Sequence, residues 1–343
     1  MAAMRFLDAC RRKKTDATPV WFMRQAGRYM PEYRALRKKY SILELCEHPE
    51  AAAEVTLQPV RAFEVDAAIL FADILLPVRP MGMSLTFVKG EGPCLSKPIR
   101  TAQDVARLRA FNPKEGLGYV LEAVRLVRAE LEGKTPLIGF AGAPFTLASY
   151  MIEGGPSKDY RNTKAMMHGN PKAWRALMQK ITQVTGAYLS AQAEAGAQAL
   201  QLFDSWAGQL SKSDYDAFVL PYSRKVLKAA SKTGVPVIHF ATGTSHFLES
   251  FRDAGADVIG VDWRLGLDEA WKRIGYGRAV QGNLDPIHLQ LPRPQLKKAV
   301  REVLKRAGGR RGHIFNLGHG VLTHTPPDNV RAVTEWVHEW TAN

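Results

Sequence analysis

The stretch Pro19-Val-Trp-Phe-Met-Arg-Gln-Ala-Gly-Arg-Tyr-Met-Pro-Glu-Tyr-Arg34 joins a short apolar run directly to two arginines. No polar residue interrupts residues 20–23, which is typical of a strand covered on both faces in a parallel sheet. Arg24 follows this run without a spacer, and Arg28 comes after Gly27. The stretch therefore predicts a buried strand whose carboxyl end carries two guanidinium groups, which are suited to binding carboxylates or phosphates.

The same pattern recurs along the chain, with each apolar run followed by a polar or glycine-containing turn. The eight runs are residues 20–23, 67–71, 137–140, 199–203, 237–240, 258–261, 279–281 and 314–317. Segments with helical periodicity separate them, notably 118–131, 171–196, 213–232 and 295–307. This alternation predicts an α/β fold, and eight units favour a closed (β/α)8 barrel of the TIM type over an open doubly wound sheet.

The chain is predicted to form one domain. Its 343 residues are long for an ordinary domain but suit a single barrel. Residues 79–111 are rich in proline and glycine, and they predict an irregular excursion with a short hairpin after the second strand. No linker rich in Pro, Gly or Ser divides the sequence. We therefore expect a single barrel domain over residues 1–343, with its active-site cleft at the carboxyl ends of the strands.

Composition narrows the setting in which the protein works. Hydrophobic residues make up 46% of the chain, enough for a large core. No run approaches the ~18 uncharged apolar residues of a membrane helix, and the basic N-terminal segment has no apolar block typical of a secretory signal. Cys10, Cys46 and Cys94 are far apart and form no CxxC pair. These features predict a cytoplasmic protein that does not bind membranes.

The net charge of +14 suggests an anionic partner. Nucleic acid and a small polyanion are both candidates. The basic residues are scattered, with short clusters only at 11–14, 38–39 and 305–311, and each cluster is also compatible with an ordinary solvated face. No nucleic-acid-binding motif and no tract of basic residues interleaved with aromatics is present. We therefore expect a small-molecule substrate and no nucleic acid.

Polar residues follow the predicted strands at the end where barrel enzymes place their active sites. Their convergence on one rim predicts an anion-binding active site. The candidates are Arg24, Arg28, Asp73, Tyr150, Asp204, Ser205, Thr242, His246, Asp262, Asn283, Asp285 and His319.

Each of these residues also has a simpler interpretation. Arg24 and Arg28 also fit a role in which they pair only with acids on the surface. Asp73 lies in an apolar stretch, where a carboxylate either caps a turn or faces a pocket. Tyr150 fits a core position with its hydroxyl satisfied. His319, between two glycines, fits an acid–base group, a hydrogen-bond donor or a ring held by a carbonyl. The residues alone leave these alternatives open.

Six segments, in order along the chain, resemble the uroporphyrinogen decarboxylase family. The resemblance covers essentially the whole chain, and it implies a cytoplasmic, homodimeric (β/α)8 barrel that works without a metal or organic cofactor. The segments are Met23-Arg-Gln-Ala-Gly-Arg-Tyr-Met-Pro-Glu-Tyr33, Ala67-Ala-Ile-Leu-Phe-Ala-Asp-Ile-Leu75, Ile138-Gly-Phe-Ala-Gly-Ala-Pro-Phe-Thr-Leu147 with Tyr150-Met-Ile-Glu-Gly-Gly155, Gly196-Ala-Gln-Ala-Leu-Gln-Leu-Phe-Asp-Ser205, Gln281-Gly-Asn-Leu-Asp-Pro286 and Asn316-Leu-Gly-His-Gly320.

The resemblance implies a cofactor-independent decarboxylase. Its substrate would be uroporphyrinogen III, a reduced tetrapyrrole with eight carboxylates, which loses its four acetate carboxyl groups to give coproporphyrinogen III. Asp73 maps to the residue that accepts hydrogen bonds from the pyrrole N–H groups, and Arg24 and Tyr150 complete the implied catalytic set. The proton donor is left open. The implied substrate-binding residues are Arg24, Gln25, Ala26, Gly27, Arg28, Asp73, Tyr150, Ser205 and His319.

One alternative is a zinc-dependent corrinoid methyltransferase of the related barrel group. Such an enzyme needs a His/Cys zinc site near the barrel mouth. The sequence around His319 contains no cysteine, and the chain contains no HExxH motif. We therefore predict no metal site and favour the decarboxylase.

Overall fold

The computed structural model describes residues 4–88, 90 and 92–342. Seven of the strands in this part of the chain form a parallel sheet in which β1 and β4 to β9 follow one another in chain order. The other two, β2 and β3, pair antiparallel and confirm the hairpin predicted after the second apolar run. The strands are β1 (Ala68–Ile69), β2 (Ser84–Val88), β3 (Gly92–Ser96), β4 (Leu137–Gly142), β5 (Ala199–Phe203), β6 (Val237–Phe240), β7 (Val258–Gly260), β8 (Ala279–Gln281) and β9 (His313–Ile314).

The first predicted strand connects the two edges of this sheet. Val20 forms a parallel bridge with Phe315, just beyond β9. On its other side, the Val20 carbonyl accepts a hydrogen bond from Asp66 N at 2.8 Å, next to β1. Residues 20–23 thus occupy the eighth position of the barrel, which confirms the predicted (β/α)8 class.

A full strand over residues 20–23 was the wrong expectation, because only Val20 makes a β-bridge. Side-chain amides replace strand partners for the next residues. Phe22 N donates to Gln25 Oε1 at 3.1 Å, and Met23 N donates to Asn316 Oδ1 at 3.1 Å. The buried N–H groups are satisfied without a ladder, so the chain can turn sharply into the arginine loop.

Helices cover the outside of the sheet, and three of the four helical segments predicted above agree with the structure within two residues. Residues 213–232 differ, because they form two helices, α11 and α12. Pro221 lies in the first turn of α12, where its missing N–H costs least. The helices are α1 (Arg5–Cys10), α2 (Pro31–Arg37), α3 (Ile42–Glu47), α4 (Pro49–Phe63), α5 (Ala102–Arg107), α6 (Pro113–Gly116), α7 (Gly118–Glu130), α8 (Pro144–Glu153), α9 (Arg161–Gly169), α10 (Pro171–Glu194), α11 (Lys212–Phe218), α12 (Leu220–Ser231), α13 (Leu248–Arg252), α14 (Leu267–Ile274), α15 (Arg293–Ala307) and α16 (Pro327–Thr341).

A polar contact across the sheet shows which side chains point into the barrel. Gln281 Nε2 on β8 donates to Gln201 Oε1 on β5 at 3.2 Å, although two strands separate β5 from β8. Trp21 Nε1 donates to Gln281 Oε1 at 3.0 Å. A contact between non-adjacent strands must cross the enclosed space, so these three side chains fill the barrel interior.

Within the described residues, no helix is long and apolar enough to span a bilayer.

Candidate active site

Three phenylalanines form an apolar layer towards the carboxyl ends of the strands. Phe203 is two residues beyond Gln201 and therefore points inward with it. Phe240 is the register partner of Phe203, and Phe140 is that of Gln201. The Phe203 ring meets Phe140 edge-on at 5.5 Å and Phe240 at 5.9 Å between centroids. This layer gives the barrel mouth an apolar floor.

Gln25 ties down the arginine loop that follows residue 23. Its side chain is fully buried, and Nε2 donates to Ala67 O at 3.1 Å while Oε1 accepts from Phe22 N. The Gln25 carbonyl accepts from Tyr29 Oη at 2.6 Å. Because these groups bond within the protein, Gln25 shapes the loop that presents its neighbours.

Arg24 has a backbone conformation that non-glycine residues rarely adopt, with φ of 58°. Such outliers persist only where surrounding contacts hold them, and they cluster at functional sites. The Arg24 stem lies against Gly320, where an added Cβ would come within 2.4 Å of Arg24 Cδ. Position 320 therefore accommodates only glycine, because the stem of Arg24 occupies the space that a side chain would need.

Arg24 and Arg28 are both exposed. Among the described residues, neither side chain forms an ion pair or hydrogen bond with the protein, so surface pairing with acids does not account for them. Arg28 lies nearer α2, where its charge lowers the pKa of Tyr33 against the larger raising effect of burial. The two guanidiniums are thus available at the rim, with Arg24 closer to the barrel axis.

Asp73 is half-buried after β1. Its Oδ1 accepts a hydrogen bond from Leu75 N at 2.8 Å, so the capping interpretation holds for one oxygen. Within the described chain, Oδ2 accepts no hydrogen bond from the protein. Burial raises the pKa of Asp73, while the Leu75 N–H and the charge of Arg24 oppose that rise. Asp73 therefore combines one anchored oxygen with one available oxygen close to Arg24.

Tyr150, on α8, stacks on Trp206 with 3.8 Å between ring centroids. Burial raises the pKa of Tyr150 to about 12; the charge of Asp73 adds to this rise and that of Arg24 opposes it. Tyr150 consequently keeps its proton at neutral pH and offers an O–H donor. Its electrostatic contact with both Asp73 and Arg24 places all three at one site.

His319 is a neutral donor. Its Nδ1 accepts a hydrogen bond from Gly320 N at 2.7 Å, so the proton of the neutral ring lies on Nε2. Burial, together with the charges of Arg24 and Arg264 and against an opposing effect of Asp262, lowers the pKa of His319 to about 4. Of the three interpretations open from sequence, a hydrogen-bond donor fits this geometry best.

Three other predicted positions have backbone roles. Ser205 is half-buried, and its carbonyl accepts from Thr242 Oγ1 at 2.9 Å. Ser205 directly precedes Trp206, the residue stacked on Tyr150. Ala26 and Gly27 are half-buried in the arginine loop, and a Cβ at Gly27 would come within 3.2 Å of Arg24 O. The loop therefore closes tightly beneath Arg24.

The sequence model of the uroporphyrinogen decarboxylase (URO-D) family matches residues 1–340. The chain belongs to the uroporphyrinogen decarboxylase family. A protein named uroporphyrinogen decarboxylase from Sorangium cellulosum (strain So ce56) is 63% identical over 334 residues, covering 97% of this chain and 95% of that protein. Another, from Roseiflexus sp. (strain RS-1), is 54% identical over 347 residues and covers 100% of both chains.

A solved methyltransferase from Methanosarcina mazei shares the fold, with a TM-score of 0.83 at 20% identity over 98% of both chains. That identity is too low to carry function. The matches to the uroporphyrinogen decarboxylase family confirm the predicted decarboxylase and do not support the methyltransferase alternative. In residues 4–88, 90 and 92–342, no group of three or more His, Cys, Asp or Glu side chains is placed to hold a metal ion.

Several strand-end residues of this uroporphyrinogen decarboxylase family member serve the scaffold instead. Asp204 lies behind the sheet, fully buried, and accepts from Thr146 Oγ1 at 3.0 Å. His246 Nε2 contacts Leu210 O at 2.7 Å. Asn283 Nδ2 donates to two backbone carbonyls, and Asp285 caps a short 3-10 helix. As active-site candidates these four were wrong, because their polar groups are directed to the backbone or away from the mouth.

Three residues near the site were missed from sequence. Trp206 was not singled out, although it stacks on Tyr150. Arg264 acts on His319 from the loop after β7. Cys46, on α3, lies close enough to Asp73 for the aspartate charge to add to the rise in thiol pKa that burial causes. Cys46 lies on a helix, which a search for strand ends does not cover.

A separate basic depression of about 700 Å³ lies at the opposite end of the barrel, before β7 and β8. Arg224, Arg252 and Arg278 line it. None of the predicted site residues borders this depression. Two N–H groups of the Arg224 side chain donate hydrogen bonds to the Asp253 carbonyl. Arg24, Asp73, Tyr150 and His319 lie at the other end of the barrel, at the mouth.

Proposed function

We propose that this chain removes the four acetate carboxyl groups of uroporphyrinogen to give coproporphyrinogen, with Asp73 at the centre of the macrocycle. The observation that carries the proposal is the available oxygen of Asp73, beside Arg24 and Tyr150 and above an apolar floor. A ring with an apolar face, four N–H groups and peripheral carboxylates matches these surroundings in shape and charge. Membership of the decarboxylase family supports the same substrate.

Loss of CO2 leaves the two electrons of the broken bond, and another group must accept them. When a pyrrole carbon is protonated, the ring becomes cationic. The bond between the acetate methylene and its carboxylate then breaks, CO2 leaves, and the bonding electrons flow into the ring. A proton on the methylene carbon completes the methyl group, and the ring proton is lost. The net change replaces each carboxylate with hydrogen. A fixed Asp73 carboxylate stabilises the cation more than the neutral substrate. This difference lowers the activation barrier of the reaction.

The remaining residues position the substrate. Arg24 and Arg28 bind its carboxylates through charged hydrogen bonds. Tyr150 Oη and His319 Nε2 donate to a carboxylate close to Asp73, and Ser205 supplies a further hydroxyl. Gln25, Ala26 and Gly27 form the loop that presents the two arginines. A guanidinium stays protonated near neutral pH and is a poor acid, so we assign Arg24 to binding and charge stabilisation.

We also propose that the chain is a single domain over residues 1–343, that it works in the cytoplasm, and that it forms a homodimer without a metal or organic cofactor. The dimer and the independence from a cofactor rest on the family resemblance, whereas the single domain and the cytoplasmic location also rest on the sequence itself. Analytical ultracentrifugation of the purified chain tests the dimer, since a monomer at micromolar concentration would contradict it.

The function is tested by incubating the purified chain with freshly reduced uroporphyrinogen under anaerobic conditions. We expect coproporphyrinogen to accumulate, with four CO2 released per molecule, equally in the presence of a metal chelator. Absence of decarboxylated product from a folded protein would contradict the proposed function.

A further inference from the structure

The Gly318-His319-Gly320 segment is flanked on both sides. An added Cβ at Gly318 would lie 2.5 Å from Trp263 N and 3.0 Å from Asp262 C. At Gly320, the Arg24 stem occupies the corresponding position. His319 is therefore held between Arg24 and the segment Asp262-Trp263-Arg264, which follows β7.

Arg264 presents a fixed cation on the second side. Its guanidinium stacks on the Trp263 ring with Cζ 4.4 Å from the centroid. Nη1 donates to Asp262 Oδ2 at 2.5 Å, and the Arg264 backbone N donates to Oδ1 at 3.1 Å. Asp262 is buried and also accepts from Gly243 N at 2.6 Å. The stacking and the ion pair leave the guanidinium little freedom.

Arg264 nevertheless keeps donors for another partner. A guanidinium carries five N–H groups, and the ion pair with Asp262 uses one. Within residues 4–88, 90 and 92–342, Nε and Nη2 of Arg264 have no acceptor on the protein, and 49% of the side chain is exposed. A donor fork that is already immobilised loses less entropy when it binds a carboxylate.

We propose that Arg264 binds a substrate carboxylate on the side of His319 opposite Arg24, so that the two arginines clamp adjacent acid groups of the same polycarboxylate. The proposal rests on the function proposed above. Arg264 adds a third cation to the two of the arginine loop. It lies far from that loop in the sequence, and His319 is the residue that both approach. The charges of both arginines reach the His319 ring, which supports their placement on one rim.

The clamp is tested with Arg264→Gln and a matched control, Arg301→Gln. Arg301 of α15 stacks in the same manner on Trp340 of α16, with Cζ 4.6 Å from the ring centroid, and this contact lies in the outer helix layer, away from the mouth. We expect Arg264→Gln to raise KM for uroporphyrinogen roughly tenfold, the effect of one charged hydrogen bond, with little change in kcat. Arg301→Gln should match the wild type in both constants.

Salt dependence separates binding from a purely structural role. Added NaCl should raise the wild-type KM by screening the carboxylates from the arginines, and this rise should be smaller in Arg264→Gln. An equal salt dependence, or a fall in kcat with unchanged KM, would show that Arg264 only holds Asp262 in place and would overturn the clamp.

A second variant covers the case in which Arg264→Gln fails to fold. Arg264→Met keeps an unbranched stem over Trp263 and removes the charge and the donors. A wild-type KM in Arg264→Met would overturn the clamp. The proposed function is judged separately, because it fails only if the wild-type chain itself makes no coproporphyrinogen.

Discussion

Asp73 and Asp204 both follow parallel strands of the same barrel, but Asp73 is half-buried at the mouth and Asp204 is fully buried behind the sheet. Asp73 follows β1 at the mouth, within reach of the charge of Arg24. Asp204 follows β5 directly and lies between the sheet and the helices. The comparison shows that a carboxylate at a strand end becomes an active-site candidate only if it also points into the barrel.

The orientation of Asp204 follows from its neighbours. Phe203 points inward with Gln201, so the next residue points outward. There, Thr146 of α8 donates to one oxygen, and His239 Nε2 lies 3.9 Å from the other. The His239 ring stacks on Phe251 of α13 with 3.8 Å between centroids. Asp204 and His239 are therefore a polar pair enclosed by the helix layer, without access to a substrate at the mouth.

The largest expected effect is a difference in activity between variants of the two aspartates. Asp73→Asn keeps the side-chain shape and removes the charge that stabilises the cationic ring. We expect kcat/KM for uroporphyrinogen to fall roughly 100- to 1,000-fold, comparable to losing one preorganised electrostatic contact. Asp204→Asn should retain activity close to the wild type. Equal losses in the two variants would remove the distinction drawn here.

Next in size are the arginines that balance the substrate charge near Asp73. Arg24→Ala and Arg28→Ala should each lose about 1–3 kcal/mol of binding, or roughly 5- to 150-fold in KM. Arg24 should show the larger effect, because its charge reaches Asp73, Tyr150 and His319. Arg310→Ala, which removes a cation stacked on Tyr276, is the control. Unchanged constants in both variants would exclude these arginines from the site.

A third prediction concerns stability and applies to Asp204. Burial raises its pKa to about 7. A carboxyl group with a raised folded-state pKa stabilises the fold at low pH, and this contribution is lost as the pH rises from about 4 to about 7. The Asp204→Asn variant lacks this titrating group. Its free energy of unfolding should therefore increase relative to that of the wild type over this range, by on the order of a few kcal/mol. His239, whose pKa burial lowers to about 3, changes stability in the opposite direction over the same range in both proteins.

Denaturant unfolding of both proteins between pH 4 and pH 8 measures this effect. A difference that stays constant with pH would show that Asp204 is already ionised in the folded protein throughout that range.

The smallest expected effect is on the pH profile of activity. Activity needs ionised Asp73, so kcat/KM should fall on acidification, with a midpoint above the ~3.9 of an ordinary aspartate because burial raises the pKa. His319, with a pKa of about 4, stays neutral above pH 5. His319→Gln should therefore lower activity without changing the shape of the profile between pH 5 and pH 8. A limb near pH 6.5 that disappears in this variant would contradict a neutral His319.

Sequence predicted the barrel well, because strands buried on both faces leave continuous apolar runs that turns interrupt visibly. The predicted strand over residues 20–23 was wrong because side-chain amides replace the backbone partners of Phe22 and Met23. The predicted helix over residues 213–232 was wrong because it is divided before Pro221. Strand ends also led to Asp73 and His319, which the structure places at the barrel mouth. They also suggested Asp204, because the one polar residue of the run 199–203, Gln201, points into the barrel and therefore does not mark the outer face. Trp206 and Arg264 depend on tertiary contacts that no local pattern encodes.

The most direct test of the account compares turnover with product binding in Asp73→Asn under anaerobic conditions. The amide oxygen of asparagine still accepts hydrogen bonds from the pyrrole N–H groups, so coproporphyrinogen affinity should change by no more than about tenfold. Single-turnover CO2 release should fall roughly 100-fold or more, because only the charged transition state needs the carboxylate. Near-normal CO2 release, or a loss of affinity as large as the loss of rate, would contradict the role assigned to Asp73.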